Sequence, residues 1–271
     1  MNPHRGRVLL IAGSDSGGGA GVQADIKTVT ALGGYAATSI TAITVQNTLG
    51  VSEVHPVPAD LVVRQARAVL NDIGADAIKT GMLGDESVAL VVAALIEGAA
   101  GIPAVVDPVI VAKGGAALMS EGAMAVVRDR LLPVAALFTP NAIEAAAMTG
   151  RAIETADDLR RAGEALLRQG ARAVLMKGGH VPGDEVVDWL MTPAGESRFS
   201  GPRLPTRHTH GTGCTLASAC AALIAQGATR ETAVRGARAY TVEAIRAAPG
   251  FGAGAGPLGH AWPFHRPGEL P

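Results

Sequence analysis

The chain has 271 residues, 48% of them hydrophobic and 17% charged, enough to bury a large core as one α/β unit or two small ones. Its 23 Lys plus Arg against 24 Asp plus Glu leave a formal charge of −1, so nothing electrostatic recommends a nucleic acid or an acidic membrane as partner. The most apolar stretch, 88–112, is broken by Glu97, Gly101, Pro103, Asp107 and Pro108, and reads as helix, turn and strand rather than a membrane span.

The first apolar run, Arg7 to Ala12, predicts a strand. It is shorter than a signal-peptide core and runs straight into Gly13-Ser14-Asp15, so a cytoplasmic protein is expected. The glycine-rich segment 13–21 then opens a helix predicted over Gly21 to Leu32, placing exposed amides at a helix N-terminus, where an anion or a substrate ring can sit. Within it Gly19-Ala20-Gly21-Val22-Gln23-Ala24 matches a relaxed dinucleotide fingerprint. A dinucleotide unit wants Asp or Glu at the end of its second strand, whereas the second strand here, Ala36 to Val45, runs into Gln46-Asn47-Thr48. No Gly-Lys-Ser/Thr occurs, which excludes a P-loop. The Gln46 carboxamide both donates and accepts and suits an aminopyrimidine edge; the competing reading is a satisfied buried amide.

Helices are predicted at Ala59 to Asp72, Ser87 to Glu97 and Glu121 to Leu131, alternating with strands at Ala77 to Gly81, Ala104 to Val109 and Ala136 to Thr139. Thr139-Pro140-Asn141-Ala142-Ile143-Glu144 leaves the last of these and enters a helix over Ala142 to Thr149. Two readings stay open. Asn141 and Glu144 can form a capping box, or Glu144 and Asp107 can gather Mg²⁺ and water beside nucleotide phosphates. A helix from Ala156 to Gln169, capped by Thr155 and stopped by Gly170, precedes a strand from Ala173 to Lys177. Only four lysines occur, Lys27, Lys79, Lys113 and Lys177, and their compact ammonium groups are candidates for phosphate or packing roles.

His210-Gly211-Thr212-Gly213-Cys214-Thr215 heads an apolar helix predicted over Cys214 to Gln226. Glycines there let backbone amides close on an oxyanion, and the helix N-terminus stabilises charge on a transferring phosphoryl group. Cys214, in the first turn, is expected to have a lowered pKa and to act as base or hydrogen-bond partner for an attacking hydroxyl, while Cys220 is expected to be inert packing. On one helix the two thiols lie roughly 9 Å apart, too far for a disulfide. A last helix spans Glu231 to Ala247, and 249–271 is expected to lack regular structure. Alternating strands and helices without linker or repeat predict an α/β fold in one domain over 1–271, with ligands bound outside the carboxyl ends of the strands.

Gly-Ser-Asp-Ser-Gly-Gly-Gly-Ala-Gly-Val-Gln-Ala-Asp at 13–25, Val-Gln-Asn-Thr at 45–48, Asp-Pro-Val at 107–109, Asn-Ala-Ile-Glu at 141–144, Lys-Gly-Gly-His at 177–180 and Gly-Thr-Gly-Cys-Thr at 211–215 together resemble hydroxymethylpyrimidine/phosphomethylpyrimidine kinase. The resemblance spans nearly the whole chain. It implies a ribokinase-like fold, with a mostly parallel central sheet flanked by helices on both faces, and a homodimer. It also implies ATP- and Mg²⁺-dependent phosphorylation of 4-amino-5-hydroxymethyl-2-methylpyrimidine and then of its monophosphate, on the way to thiamine. Carried over, Gln46 reads the ring, and Asp25, Gly13, Gly19, Ala20, Met82 and Val109 shape the substrate pocket. Asn141, Glu144, Lys177 and Thr212 serve ATP, and Glu144 with Asp107 serves Mg²⁺. Gly211, Thr212 and Gly213 form the anion hole, and Cys214 stands where most ribokinase-like enzymes place an aspartate base. The loop reads Asp15-Ser16-Gly17 where many relatives have Asp-Pro-Ser, a change in loop stiffness. Pyridoxal kinase, acting on another ring hydroxymethyl group, is the nearest alternative, and a non-catalytic pyrimidine- or vitamin-binding protein a distant one.

Overall fold

The computed structural model describes residues 6–99, 101–111 and 118–264. Lys113 lies outside them. In chain order the elements begin with β1 (Arg7–Asp15), α1 (Gly21–Ala31), β2 (Tyr35–Asn47), β3 (Gly50–Pro56), α2 (Ala59–Asp72), β4 (Ala77–Thr80), α3 (Glu86–Gly98) and β5 (Ala104–Val106). They continue with α4 (Glu121–Val126), which passes through a π-helical turn at Val127–Leu131 into α5 (Leu132–Val134), then β6 (Leu137–Phe138), α6 (Ala142–Thr149), α7 (Ala156–Arg168) and β7 (Val174–Met176). The hairpin β8 (Glu185–Thr192) and β9 (Gly195–Pro202) follows, then α8 (Thr212–Ala225) and α9 (Arg230–Arg246).

The strands form one sheet in the order β3-β2-β1-β4-β5-β6-β7-β8-β9. Pairing is parallel from β2 through β7 and antiparallel where β3, β8 and β9 extend the two sides. Period-2 alternation splits the strands between two cores. Leu9 and Ile11 face α2, α3, α6 and α7 on one side, while Val8 and Leu10 face α1, α8 and α9 on the other. Both faces are covered, which is why the central strands are nearly continuous apolar runs.

Three strands depart from the sequence expectation, which left 50–56, 185–192 and 195–202 unassigned. β3 is an edge strand, exposed from Glu53 to Pro56, so it shows no apolar run. β8 and β9 pair only with each other and β7, with polar residues on the solvent side of β9. Beyond α9 the chain folds back over the carboxyl ends of the strands. There Pro257 bridges to His210, a 3-10 turn spans Trp262–Phe264, and Leu258 and His260 are each 4% exposed. Among the described residues no helix is long and apolar enough to cross a membrane.

Candidate active site

β1 and β4 are parallel neighbours, yet the chain leaves β1 toward β2 and leaves β4 toward β5, on opposite sides. A crevice opens at such a reversal of strand order. A cleft of about 1400 Å³ occupies it, lined among others by Gly13, Gln46, Met82, Val109, Lys177 and Cys214.

One end is charged. Lys177, just after β7, places Nζ 2.6 Å from Asp107 Oδ1 at the end of β5 and 3.8 Å from Glu144 Oε2 in the first turn of α6. Burial opposes the Lys177 ammonium, but the two carboxylates outweigh it and raise its pKa. Thr139 Oγ1 donates to the same Asp107 oxygen at 2.9 Å. Burial pushes the Glu144 carboxyl up to about 7, against the attraction of Lys177. Asn141 and Glu144 form the capping box: Asn141 Oδ1 accepts from the Ile143 and Glu144 amides at 2.8 and 3.0 Å, and Glu144 Oε2 accepts from the Asn141 amide at 2.7 Å. The cap turns Glu144 toward Lys177, so the two sequence readings are compatible.

Above this group lies the N-terminus of α8. Gly211 has φ +83°, and a Cβ there would stand 1.8 Å from the carbonyl oxygen of Gly19. Only glycine lets the two glycine-rich loops approach this closely. A Cβ on Gly213 would lie 3.3 Å from Lys177 Nζ, so its hydrogen side chain leaves the backbone open toward the ammonium. The Thr212 side chain is turned back, donating to Thr209 O at 2.8 Å. Its amide also points to Thr209 O, at a longer 3.4 Å.

The expectation of a lowered Cys214 pKa is overturned. Cys214 keeps an opening to the cleft, but burial pushes its thiol up to about 11, with Lys79 only partly offsetting this. At that value the thiol is neutral at pH 7. Cys220 is fully buried and pushed up to about 12.

At the other end of the cleft a Cβ on Gly13 would meet Met82 Cε at 2.5 Å, so the missing side chain makes room for Met82. Gln46, at the end of β2, is half-buried; its Oε1 accepts from Thr44 at 3.2 Å and its Nε2 lies 3.2 Å from His210 Nε2. His210 Nε2 is also 2.9 Å from Asp15 Oδ2. Asp15 in turn accepts from the amides of Gly17, Gly19 and Ala20 at 2.8, 3.1 and 2.8 Å. Burial works against that carboxylate, but these donors hold its pKa below the ordinary value. Asp15 therefore organises the glycine-rich loop. Neither Asp15 nor His210 was singled out from sequence, although His210 adjoins Gly211.

Asp25 does not shape the substrate pocket. It is fully buried beneath the cleft, with Lys79 Nζ 2.8 and 2.9 Å from its two oxygens and Ser218 Oγ donating at 2.6 Å. Burial opposes the Lys79 ammonium, and Asp25 overcomes this and raises its pKa. The pair ties α1, β4 and α8 together below the site.

A family model described as phosphomethylpyrimidine kinase matches residues 15–259, which include all the cleft residues described above except Gly13. The chain belongs to the phosphomethylpyrimidine kinase family. It is 49% identical over 255 residues to the hydroxymethylpyrimidine/phosphomethylpyrimidine kinase of Streptomyces coelicolor, covering 94% of each chain. It is equally 49% identical over 256 residues to the thiamine biosynthesis bifunctional protein ThiED of Geobacter sulfurreducens, spanning 94% of this chain but about half (52%) of that longer relative. The pyridoxal kinase from Staphylococcus aureus in complex with AMP-PCP and pyridoxal superimposes with a TM-score of 0.86 at 33% identity, covering 94% of this chain and 93% of that one.

Kinases of this kind need a divalent cation to neutralise charge on the moving phosphoryl group. No cluster of three or more His, Cys, Asp or Glu among the described residues is placed to hold a metal. Asp107 and Glu144 nevertheless suit Mg²⁺, which takes one or two carboxylates and completes its shell with phosphate oxygens and water.

Proposed function

We propose that this kinase uses ATP to phosphorylate the hydroxymethyl group of 4-amino-5-hydroxymethyl-2-methylpyrimidine and then the monophosphate it has made, supplying the pyrophosphate for thiamine biosynthesis. One observation carries the reading: a single cleft has an amide able to read the ring, Gln46, at one end and a glycine-rich helix N-terminus facing Lys177 at the other. In the first step the substrate oxygen bonds to the γ-phosphorus, the bond to the β-phosphate oxygen breaks, and ADP leaves. Gly13, Gly19, Ala20, Met82 and Val109 enclose the ring. The amides of 211–213 and the Lys177 ammonium receive the charge that develops on the phosphoryl oxygens. Cys214 aligns the hydroxyl by hydrogen bonding, which suffices because a loose transition state lets the hydroxyl proton leave late, to an oxygen of the transferred phosphoryl group. Asn141 shapes the phosphate side, and Asp107 with Glu144 would hold Mg²⁺, which neutralises phosphate charge when bound.

The similarity to a pyridoxal kinase favours pyridoxal as a second ring. Steady-state kcat/KM for both rings, in wild type and Gln46→Leu, separates the two. Gln46→Leu should lose about 10- to 100-fold on the pyrimidine. Higher kcat/KM for pyridoxal, unaffected by the substitution, would transfer the assignment.

The protein acts as a cytoplasmic homodimer in this proposal. Ile43, Val45 and Leu49 of the β2–β3 hairpin are 55%, 49% and 72% exposed, an apolar surface for a second copy to cover. Light scattering of wild type against Leu49→Asp tests it, and a monomeric wild type would refute it. The thiols of Cys214 and Cys220 are both free, as a reducing compartment keeps them.

A further inference from the structure

Residues 249–260 lie across the carboxyl ends of the strands and touch both halves of the cleft. Ala255 N donates to Thr48 O at 2.9 Å, just past Gln46. His210 N donates to Gly256 O at 3.1 Å, immediately before the anion-hole glycines. Four residues further on, His260 Nε2 lies 2.9 Å from Thr215 Oγ1, in the first turn of α8 directly after Cys214. Both partners are buried, Thr215 at 0% and His260 at 4% exposure, and Tyr240 Oη donates to the His260 carbonyl at 2.9 Å.

Burial pushes the His260 pKa down to about 4, so the imidazole is neutral at pH 7. The neutral ring and the Thr215 hydroxyl therefore share one hydrogen bond through Nε2. The Thr215 amide donates to Gly211 O at 2.8 Å. The turn from 210 to 215 is thus gripped at both ends by one segment, through His210 to Gly256 and through Thr215 to His260. Close packing keeps that segment in place: a Cβ on Gly254 would lie 2.0 Å from Thr48 O, and one on Gly259 would lie 2.1 Å from Ala247 O.

We propose that His260 is a positioning residue for phosphoryl transfer, acting through the Thr215 hydroxyl to hold the amides of 211–213 in the geometry the moving phosphoryl group requires. Preorganised donors are costly to misplace: a shift of about 1 Å lowers rates by on the order of 100-fold. The inference rests on the phosphotransfer reading, which wild-type turnover tests separately.

The test uses wild type, Thr215→Val, Thr215→Ser and His260→Leu, with kcat and KM for ATP measured well below each variant's melting temperature. Amide hydrogen exchange at 211–213 is followed in the same proteins without substrate. Thr215→Val and His260→Leu should each lower kcat by about 10- to 100-fold with little change in KM, and should speed exchange at 211–213. Thr215→Ser, which keeps the hydroxyl, should restore both, and the Thr215→Val/His260→Leu double variant should be no worse than the singles. A lower melting temperature with unchanged kcat, or unchanged exchange at 211–213, would reduce the contact to ordinary packing and overturn the inference. The exchange readout stands even if the ring is not the one proposed.

Discussion

Lys177 Nζ lies 2.6 Å from Asp107 Oδ1, a buried ion pair in the cleft beside Gly213 at the N-terminus of α8. Among the described residues Thr139 donates to the same carboxylate and Glu144 lies 3.8 Å from the ammonium. Lys177→Met leaves Asp107 buried without its cation. It should abolish nearly all turnover and cost about 3 kcal/mol of stability, read from denaturant midpoints.

Glu144 makes stability depend on pH. Its folded pKa, about 7, stands above the ordinary 4.5, so between those values the folded protein keeps a proton that the unfolded chain has released. Unfolding then releases protons, and the contribution of this group to stability falls as pH rises from about 4.5 to 7. His260 works oppositely: its pKa is lowered from 6.5 to about 4, so its contribution grows as pH rises through that interval. The difference between wild type and Glu144→Gln isolates the carboxyl. Melting curves should show wild type losing stability relative to the variant as pH rises to 7, and a constant difference would contradict the burial argument.

Cys214 is neutral at physiological pH, its thiol pushed up to about 11. Cys214→Ser, which keeps a hydrogen-bonding group, should therefore retain more turnover than Cys214→Ala. Iodoacetamide should label wild type slowly at pH 7 and faster as pH approaches 11, with buried Cys220 silent throughout. Rapid labelling at pH 7 would restore the thiolate base.

Gly211→Ala forces a Cβ to 1.8 Å from Gly19 O at a backbone φ of +83°. The two loops must part, so turnover should fall by at least about 100-fold. A stability loss of about 1–3 kcal/mol should accompany it, measured by thermal melting.

The central strands were legible because burial on both faces writes them as apolar runs, and the capping box at Asn141 and Glu144 was legible because it is a local spacing. The edge strands were not, since β3 is exposed over most of its length and β9 carries polar residues outward. Asp25 was misread because its partner Lys79 is 54 positions away and only the fold brings them to 2.8 Å. Position at a helix N-terminus suggested a lowered Cys214 pKa, but burial, which no local pattern reveals, dominates and raises it. The linkage of Asp15, His210 and Gln46 likewise joins three segments that only the sheet brings together.

The most direct test follows the purified protein with Mg-ATP and the hydroxymethylpyrimidine over time, by phosphorus NMR and product mass. The account predicts that the monophosphate rises and then declines as the pyrophosphate accumulates, with two ADP released per ring. Release of ADP without a phosphorylated pyrimidine, or turnover of pyridoxal alone, would contradict it.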